Sequence, residues 1–496
     1  MSISITSNVN LRSAPPGLVA LCAGAGAYLF FLSAGEILLR DSDSLWQIKI
    51  GQSILDHGAM PYTDVYSFTR FGEPWISSSW LSQVLLATVH GAFDWAGPVI
   101  LTSLAIGVTV AIFIYLLDPY LDPARSILLV TLALLMSGTH FLARPHMLAL
   151  PVMLAFVGGL MVAADHRSHP SWLLLPLMVL WANLHGGFVL GLALIGPVGL
   201  EAVWSSDPKH RFALAARWAL FALAALAASC CTPYGWNTLL GATKILSLGK
   251  LLSLIWEWMP ADFSSISFFE AALLGLIGLA FYRRLVLSVP RIILLLGLIW
   301  MALTHSRNIE VFAFLAPLVL AKPIAEQWRT AEAGVRPFGE IQPPYHITII
   351  AALAIAAAGW ASTKTFVVHH PFSFVTAQTP VAAVDVLEQR RAQRIFSTAP
   401  IGGYLISRDI KAFIDGRAEL YGEKFVMDYF DAVEGKNVET LLRLLETYRI
   451  DATLLNPTVP AAKALDHLAG WKRLYADKLA VIHVREDRAN AEMLAR

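Results

Sequence analysis

The sequence predicts a polytopic α-helical membrane protein of about eleven transmembrane helices, followed by a small C-terminal α/β domain. Three observations carry that prediction. Of 496 residues, 56% are hydrophobic and 15% charged, where a soluble chain carries about a quarter charged residues. Mean hydropathy is +0.59. The apolar residues gather into long runs separated by short polar tips as far as residue 362, and beyond it the composition changes.

The runs are 17–38, 95–117, 126–140, 146–164, 171–184, 188–204, 212–230, 266–282, 287–304, 309–326 and 345–362. Two of them, 126–140 and 171–184, are short against the roughly 20 residues of a full crossing. The run 17–38 lacks a small-residue cleavage site at its end and reads as a retained signal anchor. Residues 172–204 as one helix would reach roughly 50 Å at about 1.5 Å per residue, too long for a bilayer. The interruption Asn183-Leu-His-Gly-Gly187 therefore predicts a helical hairpin. With the N-terminus in the cytoplasm, the connections on that side hold Arg125, Arg167, Lys209, Arg211, Arg283, Arg284, Lys322, Arg329 and Arg336, the bias expected of short cytoplasmic loops. In a bacterium this describes a multi-pass inner-membrane protein with a periplasmic C-terminal domain.

The opposite face collects the first outer loop, 39–94, the tips HFLARPH (140–146), ANLHGG (182–187) and THSRN (304–308), the loop 231–265 and the tail. Within 39–94, Ser42, Asp43 or Ser44 caps a helix over 45–56. Its stripe of Trp46, Ile50 and Ile54 is expected on the bilayer surface. A second amphipathic helix, 80–92, carries Leu81, Leu85 and Val89, and Trp75, Trp80 and Trp95 suit an interfacial belt. Residues 1–365 thus make the membrane domain and 366–496 the second domain. In the latter, helix-like runs (381–392, 437–448, 459–469) alternate with strand-like ones (394–398, 411–415, 451–456, 478–484), an α/β pattern.

Composition also excludes. A net charge of +1 offers no field for nucleic acid. No zinc-type Cys/His spacing, Walker loop or dinucleotide fingerprint is present. Cys22, Cys230 and Cys231 give no disulfide framework, since adjacent cysteines rarely bond to each other.

The polar residues against the apolar runs are the candidates for chemistry. Asp41 and Asp43 follow the first run; a carboxylate facing a partly dry cavity acts as a general base or binds a cation, and otherwise caps a helix in water. Arg144 and His146 sit in ARPHML, where the guanidinium fork suits phosphate or else snorkels to headgroups. Asn183 and His185 interrupt an apolar run and are ligand-facing candidates; the plainer reading makes Asn183 a cap at the hairpin turn. Glu257 stands between two tryptophans as a site acid or a solvated interfacial one. His305 and Arg307 repeat the tip pattern, as a second phosphate clamp or a headgroup contact. In the tail, FIDGRAELYG (413–422) gathers Asp415, Arg417, Glu419 and Tyr421, read as a turn with surface ion pairs. Jointly, five tips carrying acids, an amide, imidazoles and arginines fall on one face by an independent charge rule.

With Asp41 and Asp43 after the first span, an amphipathic first outer loop, many spans and an outer α/β tail, the chain resembles the GT-C superfamily of membrane glycosyltransferases. The stretch from Asp41 through GxxILxxGxxPYxDVYSFTxxGxPW to Trp75, with GGYL…FIDGR in the tail, also resembles a bacterial group of membrane proteins. The spacing DSD departs from the commoner adjacent acids and leaves open which aspartate is the base. The resemblance implies a polyprenyl-phosphate sugar donor and a glycan, lipid or protein acceptor. Transfer would proceed by single displacement with inversion, with Asp41 or Asp43 as base and Arg144, His146 and Arg307 on the leaving phosphate. Asn183, His185 and Glu257 would orient sugar or acceptor hydroxyls. No cofactor is implied for certain; some members use a divalent metal and others do not. Two other readings explain the same tips: a transporter or flippase of a lipid-linked solute, and a non-catalytic assembly subunit.

Overall fold

The computed structural model describes residues 16–244, 248, 249, 255–328, 345–374 and 376–486; Arg329 and Arg336 of the charge argument lie outside them. In chain order the helices of the first part are α1 (Pro16–Ser33), α2 (Asp43–His57), α3 (Trp80–Phe93), α4 (Ala96–Leu117), α5 (Pro123–Met136), α6 (Pro145–Asp165), α7 (Leu174–Leu184), α8 (Phe188–Trp204), α9 (Arg211–Ser229), α10 (Asn237–Lys244), α11 (Phe268–Arg283), α12 (Val289–Thr304), α13 (Asn308–Trp328) and α14 (Tyr345–His369). Every one of the eleven apolar runs contains a helix. Five, in α4, α6, α9, α13 and α14, are long and apolar enough to cross a membrane, and α1, α5, α7, α8 and α12 are shorter apolar helices. The stretch 172–204 is two helices, α7 and α8, broken at His185–Gly187.

Helix α6 is the centre of the bundle: 83% of its most apolar window is buried, against 50% for α4 and 33% for α9. Small residues let the backbones close in. A Cβ on Gly24 of α1 would lie 2.6 Å from the Gly107 carbonyl of α4, the close approach that drives helix pairing where lipid removes the hydrophobic incentive.

One end of the bundle is locked by charge. Arg291 of α12 pairs with Asp165, the last residue of α6, and donates Nε to Glu201 Oε1 of α8 at 2.9 Å and Nη1 to the Val319 carbonyl of α13 at 2.9 Å. Tyr120 donates to Asp165 Oδ2 at 2.7 Å, Ser288 to Glu201 Oε2 at 2.5 Å, and the Lys322 ammonium to the Asp165 carbonyl. Arg291 and Asp165 are each 4% exposed, so the cluster persists only because its charges are paired.

The C-terminal segment comprises α15 (Val381–Gln389), β1 (Ile395–Ser397), α16 (Ala399–Ser407), α17 (Ala418–Tyr421), α18 (Glu423–Val433), α19 (Val438–Thr447), β2 (Ala452–Leu455), α20 (Pro460–Leu465), β3 (Trp471–Ala476) and β4 (Val481–Arg485). Its sheet runs β1-β2-β4-β3. Strands β1 and β2 are parallel, with Ile395 opposite Ala452, and the other pairs are antiparallel. One strand expectation needs correction, and one strand was not expected. Residues 411–415 are not in the sheet, and β3 is an added strand. The backbone of 411–415 instead runs along the first outer loop: Ala412 N donates to Tyr66 O at 3.0 Å, Phe68 N to Ala412 O at 3.1 Å and Thr69 Oγ1 to Phe413 O at 2.7 Å.

That contact overturns a second expectation. The stripe Trp46, Ile50 and Ile54 does form on α2, but it is buried with Trp75, Ile406 and Ala412. Its partner is the C-terminal segment, not lipid. Trp75 and Trp80 are likewise held within the protein. Trp75 stacks on the Arg417 guanidinium at 4.8 Å, and Trp80 Nε1 donates to Asn183 Oδ1 at 2.8 Å. The FIDGR charges are also not surface pairs. Arg417 Nη1 meets Asp64 of the outer loop at 2.6 Å and Nη2 meets Asp415 at 2.6 Å, with Arg417 1% exposed and both acids fully buried. The Tyr421 hydroxyl closes the group on Asp415 at 2.7 Å. Burial opposes ionisation of Asp415, but Arg417 outweighs it and holds the carboxyl below its ordinary range.

Candidate active site

Two segments distant in sequence, one carrying Asp41 and Asp43 and the other Glu257, converge on Arg144. Pro145 opens α6 and holds Arg144 extended, at φ −122 and ψ 160, because the proline ring disfavours helical geometry in the residue before it. The side chain therefore leaves at the mouth of the central helix. Ala143 N donates to Leu38 O at 2.8 Å and Arg40 Nη2 to Thr139 O at 3.4 Å, which ties this tip to the segment carrying the aspartates.

Each guanidinium nitrogen of Arg144 faces a different carboxylate: Nε that of Asp41, Nη2 that of Asp43 at 2.8 Å, and Nη1 that of Glu257 at 2.5 Å. The four side chains are 16–27% exposed. Asp43 Oδ1 also accepts from Trp46 Nε1 at 3.1 Å, and the Asp43 amide donates to Asp41 Oδ1 at 3.2 Å. Burial pushes the Asp43 carboxyl up to about 6, against the pull of Arg144 and helped by the Asp41 charge. Glu257 goes the other way. Burial would raise it, but Arg144 and then Arg307 more than compensate and bring it down to about 2. One acid near neutrality beside a fully ionised one is how a site separates a proton acceptor from an electrostatic partner.

The 304–308 tip lies against the Glu257 loop. Arg307 N donates to Glu257 O at 3.0 Å, Ser306 Oγ to the same carbonyl at 3.1 Å, and His305 Nδ1 to Trp258 O at 2.7 Å. The Arg307 guanidinium covers the Trp258 ring at 4.5 Å, a cation–π contact. Among the described residues no carboxylate lies within 4.0 Å of it. His305 is thus turned to its own loop, and Arg307, held on an aromatic face, has no contacting carboxylate among the described residues.

His146 Nε2 donates to His140 O at 2.9 Å, and its ring centroid is 6.3 Å from that of His185. His185 Nδ1 accepts from Gly187 N at 3.1 Å. Asn183 stands apart from this group. Its Oδ1 accepts from Trp80, while Nδ2 donates to Val179 O at 2.7 Å and Cys231 O at 3.0 Å. The amide is consumed in fastening α3 to α7 and the start of the 231–265 loop.

Two further residues belong here. His140 and Glu310 are each 7% exposed, and neither His140 Nε2 nor Glu310 Oε1 has a hydrogen-bond partner among the described residues. His140 lies within electrostatic reach of Glu257, Arg307 and Arg144, and Glu310 of Arg307 and Glu257. Glu310, one helical turn after Arg307 in an apolar helix, was visible as an intramembrane acid. His140 opens the tip HFLARPH and carried no separate signal.

The donor set does not fit a divalent metal as arranged. Asp41, Asp43 and Glu257 supply the oxygens a hard cation needs, but each faces a nitrogen of Arg144, which fills the position between them. Among the described residues no group of three or more His, Cys, Asp or Glu side chains is placed to hold a metal ion.

Neither a protein-family model nor a curated protein matches the chain. Among solved structures, it is similar to the crystal structure of the Archaeoglobus fulgidus oligosaccharyltransferase in the apo form. The TM-score is 0.51 at 12% sequence identity, over 88% of this chain and 69% of that one. An identity so low speaks to fold alone: the chain has an oligosaccharyltransferase-like fold, mostly helical, with a small C-terminal sheet.

Proposed function

We propose that the protein is a membrane glycosyltransferase of the GT-C type. It moves a sugar from a polyprenyl-phosphate donor to a hydroxyl of a glycan, lipid or protein acceptor, on the periplasmic side of a bacterial inner membrane. In this reading all eleven apolar helices span, and residues 366–496 form an outer domain. One observation carries the proposal: Arg144 draws Asp41, Asp43 and Glu257 together at the mouth of an oligosaccharyltransferase-like bundle.

Asp43 is the base in this scheme, because its carboxyl, pushed up to about 6, is best matched to take a proton near neutral pH. The acceptor oxygen attacks the anomeric carbon as its proton passes to Asp43. The bond from that carbon to the phosphate oxygen breaks, the phosphate leaves with the electron pair, and the configuration inverts. Arg307 is the cation for the phosphate, and charge gathering there in the transition state is what a pre-placed guanidinium stabilises. Arg144 keeps three carboxylates fixed within one small volume.

Purified protein in lipid nanodiscs, given labelled polyprenyl-phosphate sugars and an acceptor extract, should transfer label. Asp43→Asn should lower the rate by about 10²–10⁴, the usual worth of a general base. Movement of intact donor between leaflets, unaffected by Asp43→Asn, would replace the proposal with the flippase reading.

A further inference from the structure

Gly416 occupies a place that is tight for any side chain. A Cβ there would lie 3.0 Å from Asp43 Oδ1 and 3.2 Å from Oδ2. Its φ is outside the left-handed region, so backbone conformation does not demand glycine. The close approach of the Asp43 carboxylate is what favours it.

The chain on both sides of Gly416 is fastened. Arg417 Nε donates to Asp415 Oδ1 at 2.8 Å, and its Nη1 reaches across to Asp64 at 2.6 Å. The guanidinium lies between the Trp75 ring, at 4.8 Å, and the Tyr66 ring, at 5.5 Å. Upstream, a Cβ on Gly402 would strike the Ile414 carbonyl and come within 2.9 Å of Asp415 Cα. A Cβ on Gly403 would meet Trp46 at 2.8 Å and the Ser42 carbonyl at 2.9 Å. Ser42 Oγ donates to Pro400 O at 2.8 Å. Helix α16 and the 415–417 turn therefore grip the start of α2 from two sides, with Asp43 between them.

We propose that the Asp415-Gly416-Arg417 turn is a wall of the acidic site, and that Gly416 is a positioning residue that sets the Asp43 carboxylate against Arg144 and Trp46. The catalytic consequence rests on the transfer reading above. The direction of the effect follows from which partner gives way. The turn is held by a fully buried ion cluster, whereas the Asp43 side chain is 27% exposed and turns about two single bonds. An added methyl group moves the carboxylate, not the turn.

The test uses the full-length chain. Gly416→Ala should lower kcat by about 3- to 10-fold, since the carboxylate must yield by a few tenths of an ångström where a displacement of about 1 Å costs up to about 10²-fold. KM for the lipid donor and the unfolding midpoint should stay unchanged. With the carboxylate displaced toward water, the acid limb of the pH–rate profile should move down from its position near 6. Independently of activity, Asp43→Cys with Gly416→Cys, in a background where Cys22, Cys230 and Cys231 are serine, should oxidise to a linked peptide detectable by mass spectrometry. Absence of the linked peptide overturns the wall. A linked peptide with kcat and pH profile unmoved in Gly416→Ala overturns the positioning role. A wild-type chain that transfers no sugar removes the positioning role along with the transfer reading, and the cross-link then decides the wall by itself.

Discussion

Replacing Arg417 with leucine removes the cation between Asp64 and Asp415 and leaves both carboxylates fully buried. Breaking a buried pair by deleting one partner costs about 3–5 kcal/mol. The structure argues for the lower end. Asp64 keeps the amides of Tyr66 and Ser67, at 3.1 Å each, and the Ser67 hydroxyl at 2.5 Å. Asp415 keeps the Tyr421 hydroxyl and the Arg417 amide, at 2.7 and 2.9 Å. A loss of about 3 kcal/mol corresponds to a factor of roughly 150 in the local opening equilibrium. Hydrogen exchange of the Phe68 and Ala412 amides, whose bonds cross from loop to segment, reads that opening directly. Protection there should fall by about two orders of magnitude, while the interior of α6 is unchanged. The pH dependence has a definite sign. The Asp415 carboxyl is depressed in the folded state, so the lock contributes its full stability above the unfolded value of about 3.9 and loses it as pH falls through the lower folded value. The gap between wild type and variant should therefore close in strong acid. Adding Asp64→Asn and Asp415→Asn to Arg417→Leu should recover part of the loss. Protection at Phe68 and Ala412 that stays the same in the single variant would refute the reasoning.

Other outcomes follow from the same geometry. The transfer rate should fall about tenfold per pH unit below the Asp43 value near 6, and this limb should be absent from the residual activity of Asp43→Asn; a limb that persists assigns the proton to another group. Chelation should leave the rate unchanged, because Arg144 supplies the positive charge among the three carboxylates, and Arg144→Gln should create a Mn²⁺ signal by electron paramagnetic resonance that the wild type lacks. Arg307→Gln should raise KM for the donor and lower kcat, whereas His305→Ala, which loses a bond to Trp258, should act on thermal stability. Asn183→Ala should cost about 1–3 kcal/mol of stability, the price of stranding buried partners, with transfer per folded molecule retained; a variant as stable as wild type but inactive would return Asn183 to the site.

The sequence made the helices legible because a bilayer imposes length and polarity on each run separately. The break at His185–Gly187 could be read from length together with the Asn183–Gly187 interruption. Partners across the chain could not be read. The α2 stripe was recognisable as a buried face, but a face of Trp46, Ile50 and Ile54 does not say whether lipid or Ile406 and Ala412 covers it. Residues 411–415 have strand composition, and their hydrogen bonds went to a loop some 345 positions earlier, which no local period encodes. The same blindness hid the lock. Asp415 and Arg417 looked like turn residues because Asp64, their third member, sits in PYTDVY, far from them in sequence. At the candidate site, the residue types were visible in advance. That Arg144 would be engaged by three acids, leaving Arg307 as the less committed cation, depends on side-chain geometry alone.

The two ends of α6 carry opposite mechanical characters. Arg144 and Asp165 are separated by about 30 Å of helix, and the second of them is welded through Arg291 and Glu201 to α8, α12 and α13. Splitting that weld would strand charges that are almost fully withdrawn from solvent, at a cost of several kcal/mol. That cost makes the Asp165 end of α6 a fixed anchor for its neighbours, whereas the Arg144 end is held by side chains that remain partly open to solvent.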